Sequence, residues 1–472
     1  MDEGLAFKAI SFSRDLGAEY VDARMENHYS EQIGIYDGRV QRASSNLKEG
    51  IGIRTIVEGA WGFQSTTNLT IEGIREACNL AFRAAKESAK HVSRKVRLAD
   101  SKAKRDRYSA KTRLRLTDMR LEDKISDLLV LTKHLVAGDE IKRTAIEYTG
   151  IQSNKLFMNS EGASVWSDGS IAWVDLRADA SGSDGASQFF SETIGGGGGY
   201  EVLRDADLET AARIVGARAA ELLHAEPAKS EMDATVVLES NYLALLSHEI
   251  VGHPSEADRV LGYESAWAGT AWWAGKIGQK IGSEFMTVFD DPTVPGTFGF
   301  YLYDDEGVEA RRKILVNRGV LSEHMHSRET AAILGTEPNA GMRALTYEYV
   351  PLIRMSNTFF APGDWSRDEM IRETKHGYLI EAERQPSIDD KRFNWTISAH
   401  SARRIEKGEL GERIRDIALT STAPKFFESI DAVSRDLRIH PVPGCGKGDP
   451  MQALCVGNGG PTIRGVASIL GR

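Results

Sequence analysis

The stretch Ser247-His248-Glu249-Ile250-Val251-Gly252-His253-Pro254 sets the tightest condition on how this chain can fold. It reads H-E-x-x-x-H. Two imidazoles and a carboxylate placed so close together supply two metal ligands and a general base, the parts that a zinc hydrolase needs. Histidines four residues apart lie about 40° apart around an α-helix, but histidines five apart lie about 140° apart. At the longer spacing both rings share an ion only if the helix widens by a π-type turn or ends at the second histidine. Gly252 weakens the helix. Pro254 disfavours α conformation at His253 and cannot donate to the Ile250 carbonyl. His253 is therefore expected at a bent or terminating turn, its ring swung back toward His248. Upstream, residues 234–239 read as a strand, and residues 241–247 as the start of a helix with Asn241 near its N-cap. The plain alternative is a pair of ordinary histidines at a helix end, and the rest of the chain has to decide.

With 472 residues the chain has room for two or three domains. Its 41% apolar and 27% charged residues are those of a soluble globular protein. A net charge of −9 gives no electrostatic case for nucleic acid. No apolar run approaches the roughly 18 residues of a membrane span. Met1-Asp2-Glu3-Gly4 lacks the basic-then-apolar form of a signal peptide. Cys78, Cys445 and Cys455 make no disulfide framework, so a reducing cytoplasm is expected. The 45 glycines fit a β-rich chain with many tight turns.

In chain order, residues 4–17 have helical periodicity. Strand-like pieces follow at 20–26, 32–36, 39–44, 50–56 and 60–63, with Asp37-Gly38 as a hairpin signal. Residues 70–90 make an amphipathic helix that holds Cys78 in a structural place. The Lys- and Arg-rich residues 86–115 read as a solvated linker, because only Tyr108 interleaves for base stacking. A helix over 117–137, strands at 141–148, 156–159, 163–167 and 171–180, and a helix over 208–225 complete a first part that ends near 228. The run Gly195–Gly199 lacks the Lys-Ser/Thr of a phosphate loop and reads as a turn or a close backbone approach.

The second part carries the chemistry. Glu256 and Asp258 stand just past the histidines, placed to orient the imidazoles. Residues 265–283, with Trp267, Trp272 and Trp273, read as an apolar loop over the site. Residues 284–289 read as a strand, and 312–317 with 320–324 as a hairpin. Asp290, Asp291, Asp304 and Asp305 suit a hard metal but more often cap turns. His324 and His326 are not expected to reach one ion together. Cys445 lies between Gly444 and Gly446, with Lys447 beside it to favour a thiolate. Two imidazoles leave zinc short of the usual third protein ligand of a catalytic site. Glu256, Asp258, His324, His400, Cys445 and Cys455 all remain open for that place.

These motifs together resemble the TldD/PmbA family. The resemblance rests on His248-Glu-Ile-Val-Gly-His253 with Glu256 and Asp258, on Phe289-Asp-Asp291, and on Tyr303-Asp-Asp-Glu-Gly307. It continues through Arg354-Met-Ser-Asn-Thr358, Gly444-Cys-Gly-Lys447, Gly459-Gly-Pro-Thr462, Glu49-Gly-Ile-Gly-Ile-Arg54 and the glycines at 195–199. It implies a cytoplasmic zinc metalloprotease of the TldD type, in which His248, His253 and Cys445 hold Zn2+ and Glu249 is the catalytic base. It also implies unfolded or modified peptides as substrates, cut in the enclosed cavity of a dimer. That dimer is a homodimer or a heterodimer with a homologue lacking the histidine motif. The sequence departs from the pattern at Pro254, where the family commonly has glycine. Residues 380–396 also lack a glycine-rich segment expected there, which bears on substrate choice.

The expected fold is α+β: an N-terminal α/β domain over 1–228, with a possible split near 92–116, and a largely antiparallel catalytic domain over 229–472. A non-enzymatic, chaperone-like peptide binder with a structural zinc is the rival reading. No nucleic acid and no membrane is expected among the partners. The Trp-rich loop offers apolar surface that a dimer would cover.

Overall fold

The computed structural model of the chain describes residues 1–265 and 269–471. Alternation of side chains drives the first half into strands, and the strands run further than the apolar pieces suggest. Tyr20–Tyr36 is a single strand, as is Arg39–Val57. They turn at Asp37 and Gly38, both at positive φ (52° and 73°), the geometry that a two-residue hairpin requires. The polar stretches between the apolar pieces pair in register, with Asn27 opposite Glu49 and Ser30 opposite Asn46. The ladder is made by backbone groups, so exposed polar residues continue it. Ile141–Asn159 and Ser164–Ser181 likewise replace four shorter pieces.

These strands form a seven-stranded sheet in the order Ala60–Thr66, Arg39–Val57, Tyr20–Tyr36, Ile141–Asn159, Ser164–Ser181 and Arg105–Ser109, with Ser187–Gly197 also pairing Ser164–Ser181. Helices Glu3–Asp15 and Ile71–Ser88 pack Ala6, Ala9, Ile74, Ala77 and Cys78 against Val21, Ala23, Ile51 and Ile53. Leu208–His224 covers a second core built on Ile146, Val174 and Leu176. The helix expected over 117–137 is broken into Leu116–Asp118, Leu121–Leu129 and Thr132–Leu135. Its apolar stripe of Leu128, Leu131 and Leu135 stays buried across the break. At the glycine run, a Cβ on Gly197 would stand 2.7 Å from the Thr297 carbonyl oxygen, and one on Gly199 1.9 Å from that of Leu114. The run is a close backbone approach.

The second half contains an eight-stranded sheet that closes on itself. His376–Ile388, Glu231–Leu238, Ile463–Leu470, Ile417–Thr422 and Asn394–Glu406 follow one another, and the first also pairs with the last. Beside this ring lies a six-stranded sheet ordered Val320–Leu321, Lys313–Asn317, Val288–Asp290, Asn357–Phe360, Gln452–Gly460 and Arg438–Lys447. Most pairs are antiparallel, and the chain as a whole is α+β. Of the strand expected over 284–289, only its end is strand, because residues 283–286 turn back on themselves through a bond from Met286 N to Ser283 O.

The four aspartates hold the structure together. Asp290 accepts from Lys313 Nζ at 2.8 Å, from Ser356 N and Oγ, and from Thr358 Oγ1. Asp291 takes Thr293 N and Arg312 Nε. Asp304 accepts the backbone N–H of Glu306, Val308 and Met342. Asp305 binds Lys155 Nζ at 2.7 Å across the two halves. The tryptophan loop is a correction. Trp273 is fully buried and Trp272 packs on the same core, so neither offers the open apolar surface on which a dimer was expected. Trp267 lies outside the described residues.

Candidate metal centre

Helix Ser240–Ser247 runs from the closed ring toward the six-stranded sheet and delivers the histidine motif at its C-terminal end. It begins after Glu239, so Asn241 is not its cap. The Asn241 side-chain oxygen accepts from the N–H of Tyr242 and of Ala382. Residues His248–Gly252 then form the widened π-type turn, closed by the His253 N–H donating to the His248 carbonyl. His253 keeps helical dihedrals (φ −58°, ψ −46°) in spite of Pro254, and a short 3₁₀ turn, His253–Ser255, follows. The expected preference of a pre-proline residue is overridden because Trp273 Nε1 holds the Pro254 carbonyl at 2.6 Å and Ser255 Oγ holds that of Val251. Gly252 has a packing reason: a Cβ there would stand 2.0 Å from Met355 Sδ. The turn does what the spacing demands. The two imidazole rings meet edge to face with centroids 4.7 Å apart.

Cys445 reaches them from Arg438–Lys447, the outer strand of the six-stranded sheet. A register shift between Val442 and Cys445 marks a bulge there, and a bulge re-aims the side chain that follows it. Gly444 is not needed for approach, since a Cβ there would meet nothing within 4 Å, whereas a Cβ on Gly446 would stand 3.2 Å from Met451 Sδ. The Arg354 guanidinium fixes the strand by donating to the carbonyls of Cys445 and Gln452. One ligand atom each from His248, His253 and Cys445 lies within 4.8 Å of the others, and all three residues are buried. Cys445 Sγ stands 3.8 Å from His253 Nε2. Tetrahedral zinc with nitrogen at 2.1 Å and sulfur at 2.3 Å sets those atoms about 3.6 Å apart.

Each imidazole is held by its other nitrogen. His248 Nδ1 lies 3.0 Å from Asn458 Oδ1, and His253 Nδ1 lies 3.3 Å from Glu256 Oε2. Outer partners of this kind set the tautomer and orient the ring toward a metal. Glu256 is itself held by Arg259 Nε at 2.6 Å and Lys447 Nζ at 3.2 Å. Asp258 binds Lys447 at 2.7 Å and, among the described residues, touches no imidazole. Lys447, expected to favour the thiolate, is engaged by these two carboxylates. Burial pushes the Cys445 thiol up, but the facing rings of His248 and His253 and the Arg354 guanidinium outweigh it and hold the thiol well below its usual range. Burial opposes protonation of His248, yet the Cys445 and Glu249 charges and the Asn458 contact push it up to about 9. Burial pushes Glu256 up, but the Lys447 and Arg259 cations and the His253 contact outweigh it and hold the carboxyl well below the usual range. Glu249 is paired with Arg392 Nη1, and its side chain keeps 12% exposure.

The other open candidates for a third ligand stand apart. His400 packs between Phe189 and Phe190, and its Nδ1 faces the Phe189 carbonyl. Cys455, in strand Gln452–Gly460, donates to the Pro443 carbonyl. His324 and His326 flank Met325, which bridges to Glu256, and their ring centroids stand 6.3 Å apart. Asn458, Arg259, Arg354 and Arg392 were not legible as site residues. Arg354 lay in the motif Arg354–Thr358 and Arg392 in the segment 380–396, both marked in the sequence but without a role at the site. Near the centre opens a cavity of about 650 Å³, lined among others by Ala244, one turn before His248, and by Pro443, two residues before Cys445.

Comparison with known proteins gives the family. Residues 21–85 match the PmbA/TldA metallopeptidase domain 1, residues 114–225 its central domain and residues 231–466 its C-terminal domain. A metalloprotease of Methanocaldococcus jannaschii is 32% identical over 451 residues, 96% of this chain and 97% of that protein. A zinc metalloprotease TldD homolog of Saccharolobus solfataricus is 28% identical over 469 residues, 97% and 98% of the two chains. The fold is shared by TldE from Thermococcus kodakarensis, with a TM-score of 0.77 at 19% identity over 99% of this chain and all of that one. It is shared too by a protein from Thermotoga maritima described as a modulator of DNA gyrase, with a TM-score of 0.78 at 17% identity over 99% and 100%. Matched in order along its length by the three domains, the chain belongs to the PmbA/TldA metallopeptidase family.

Proposed function

We propose that this chain is a zinc-dependent peptidase in which His248, His253 and Cys445 hold the ion and Glu249 is the general base. The observation that carries the reading is the convergence of three buried donors, two of them imidazoles whose far nitrogens are already engaged. The donor set suits zinc: neutral imidazole and thiolate are its preferred ligands, and three protein ligands leave the fourth position for water or substrate. When bound, the ion supplies a polarised scissile carbonyl and a water whose pKa falls to about 7. Glu249 takes a proton from the attacking water and returns it to the departing amine. Asn458 and Glu256 keep the rings turned inward. The neighbouring cavity borders the outer strand Arg438–Lys447, whose edge can hold an extended peptide by main-chain bonds with loose side-chain selectivity.

Unfolded or modified peptides as substrates, and a dimer with an enclosed cavity, extend the same reading. The family resemblance and the shared fold with TldE support a homodimer or a pairing with a homologue that lacks the histidine motif. Division of labour between residues 1–228 and a catalytic part over 229–472 belongs to it as well. So does a reducing cytoplasm, which three unpaired cysteines suit. No helix among the described residues is long and apolar enough to cross a membrane.

The test is metal analysis of the purified protein together with cleavage of an unfolded peptide followed by mass spectrometry. Stoichiometric zinc and hydrolysis that a chelator abolishes are expected. Zinc held by a fourth protein ligand, with no hydrolysis, would instead establish the binding-module reading.

A further inference from the structure

We propose that Glu383 recognises substrate: within the cavity beside the metal centre it takes a cationic nitrogen of the bound peptide, a Lys or Arg side chain or a free amino terminus. This rests on the reading of the chain as a zinc peptidase.

The cavity of about 650 Å³ is lined by both halves of the chain. Residues 189–193 of strand Ser187–Gly197 come from the first, and Asn241, Ala244, Glu383 and Pro443 from the second. The backbone is deformed where it presents Glu383. Strand His376–Ile388 pairs regularly with Asn394–Glu406 as far as Glu381, opposite Ser401. Ala382 then takes a left-handed φ of 53°, with its N–H given to Asn241 Oδ1 at 3.2 Å. The register shifts between Glu383 and Gln385. That conformation is strained for alanine, and a bulge re-aims the side chains beside it. The charge of Glu383 reaches Tyr242, on the helix Ser240–Ser247 that delivers His248.

Among the described residues, the Glu383 carboxyl has no ion pair and no donor other than its own N–H, and no lining arginine acts on its charge. The neighbouring charges are spoken for. Glu239 is taken by Arg367 and Glu381 by Arg413, while Arg177 and Arg218 pair with Asp179 and Glu221. Glu192, on the wall from the first half, is also without a partner among the described residues and adds a second negative charge to the lining. Burial, with no cation to oppose it, pushes Glu383 up to about 7. A desolvated carboxylate of this kind is left unsatisfied by an apolar side chain and repels an anionic one. An ammonium or guanidinium gives it a charge-assisted hydrogen bond and holds it ionised.

The test uses the zinc-loaded full chain and peptides of one sequence in which a single position, moved stepwise along the peptide, is Lys, Arg, citrulline or norleucine. Each is made with an acetylated and with a free amino terminus. A cationic group at one fixed distance from the cut bond should raise kcat/KM at least about tenfold over its neutral counterpart. A preference that follows the moved residue assigns the charge to a side chain, and one that follows acetylation assigns it to the amino terminus. Glu383→Gln should bring the ratio to near one, and Glu383→Asp should keep part of it. A purely structural role for Glu383 would lower every rate and leave the ratio alone. An unchanged ratio in Glu383→Gln, citrulline equal to arginine with no effect of acetylation, or no preference for a cation each overturns the proposal while leaving the peptidase reading intact. Failure of the zinc-loaded protein to cut any of the peptides overturns both.

Discussion

The chain buries two pairs of histidines close together, and they have opposite characters. His248 and His253 bring their rings to 4.7 Å, while His324 and His326 stand at 6.3 Å. Around the first pair stand a thiol, two carboxylates and an asparagine oxygen, and His248 is pushed up to about 9. Around the second pair burial dominates, and it pushes both histidines down to about 4. Among the described residues, His326 Nδ1 faces only Thr330 Oγ1 and His324 Nδ1 has no partner. The two pairs are neighbours, joined by the bridge between Glu256 and Met325. Burial by itself therefore makes a histidine neutral and inert. Convergence on a thiol, with an acceptor behind each ring, is what makes a ligand set.

The sharpest way to break this contrast is to remove one member of each set. Cys445→Ser should strip the metal and all hydrolysis, measured as zinc retained through gel filtration and as peptide turnover. The loss of affinity should exceed the roughly 10²-fold that removing an outer partner costs. Cys455→Ser and His326→Gln should keep both zinc and turnover. Retained zinc in Cys445→Ser would move the third ligand elsewhere. Next in size is Glu249→Ala, which should keep zinc but lower kcat/KM by about 10²- to 10⁴-fold. Unimpaired turnover at saturating zinc would remove Glu249 from the base role.

The contrast also shows what a sequence displays of such a site. The five-residue spacing of the histidines, together with Gly252, made a deformed helix necessary, and the π-type turn is there. That inference is local, so physics carried it. The approach of Cys445 crosses 192 positions and depends on a bulge in a strand, and only family resemblance pointed to it. Asn458 had no local signature at all, because an asparagine in a glycine-rich strand reads as a turn. Cys445 and Lys447 share one face of their strand, but Lys447 is taken up by Asp258 and Glu256, partners that sequence proximity to the cysteine did not show. In the first half, polar interruptions hid the continuity of Tyr20–Tyr36 and Arg39–Val57, since apolar patterning reports burial and not backbone pairing.

A gentler perturbation tests the acceptors behind the rings. Asn458→Ala and Glu256→Gln should each weaken zinc by about 10- to 100-fold and leave the protein folded. Competition with a chelator of known affinity reads this directly. Asp258→Asn should change zinc affinity less than either, because Asp258 reaches the centre only through Lys447. Equal losses in all three would mean that charge around the centre, rather than contact with the rings, sets the affinity.

The smallest effect belongs to the second histidine pair, and its sign follows from burial. His324 and His326 have values lowered from 6.5 to about 4, chiefly by desolvation. The unfolded chain therefore takes up these protons first as pH falls. The stability that the neutral rings contribute is full above about pH 6.5 and is lost as pH drops toward 4, with little further change below that. Each histidine should account for about 1–3 kcal/mol across this window. The measurement is the urea midpoint of metal-free protein from pH 7 to 4, compared between the wild type and His324→Gln. Metal-free protein is needed because zinc release from His248, His253 and Cys445 would add its own acid dependence. The variant should lose stability less steeply with acid than the wild type. Parallel curves would mean that His324 takes up its proton in the folded chain as readily as in the unfolded one, and the contrast between the two pairs would then rest on geometry alone.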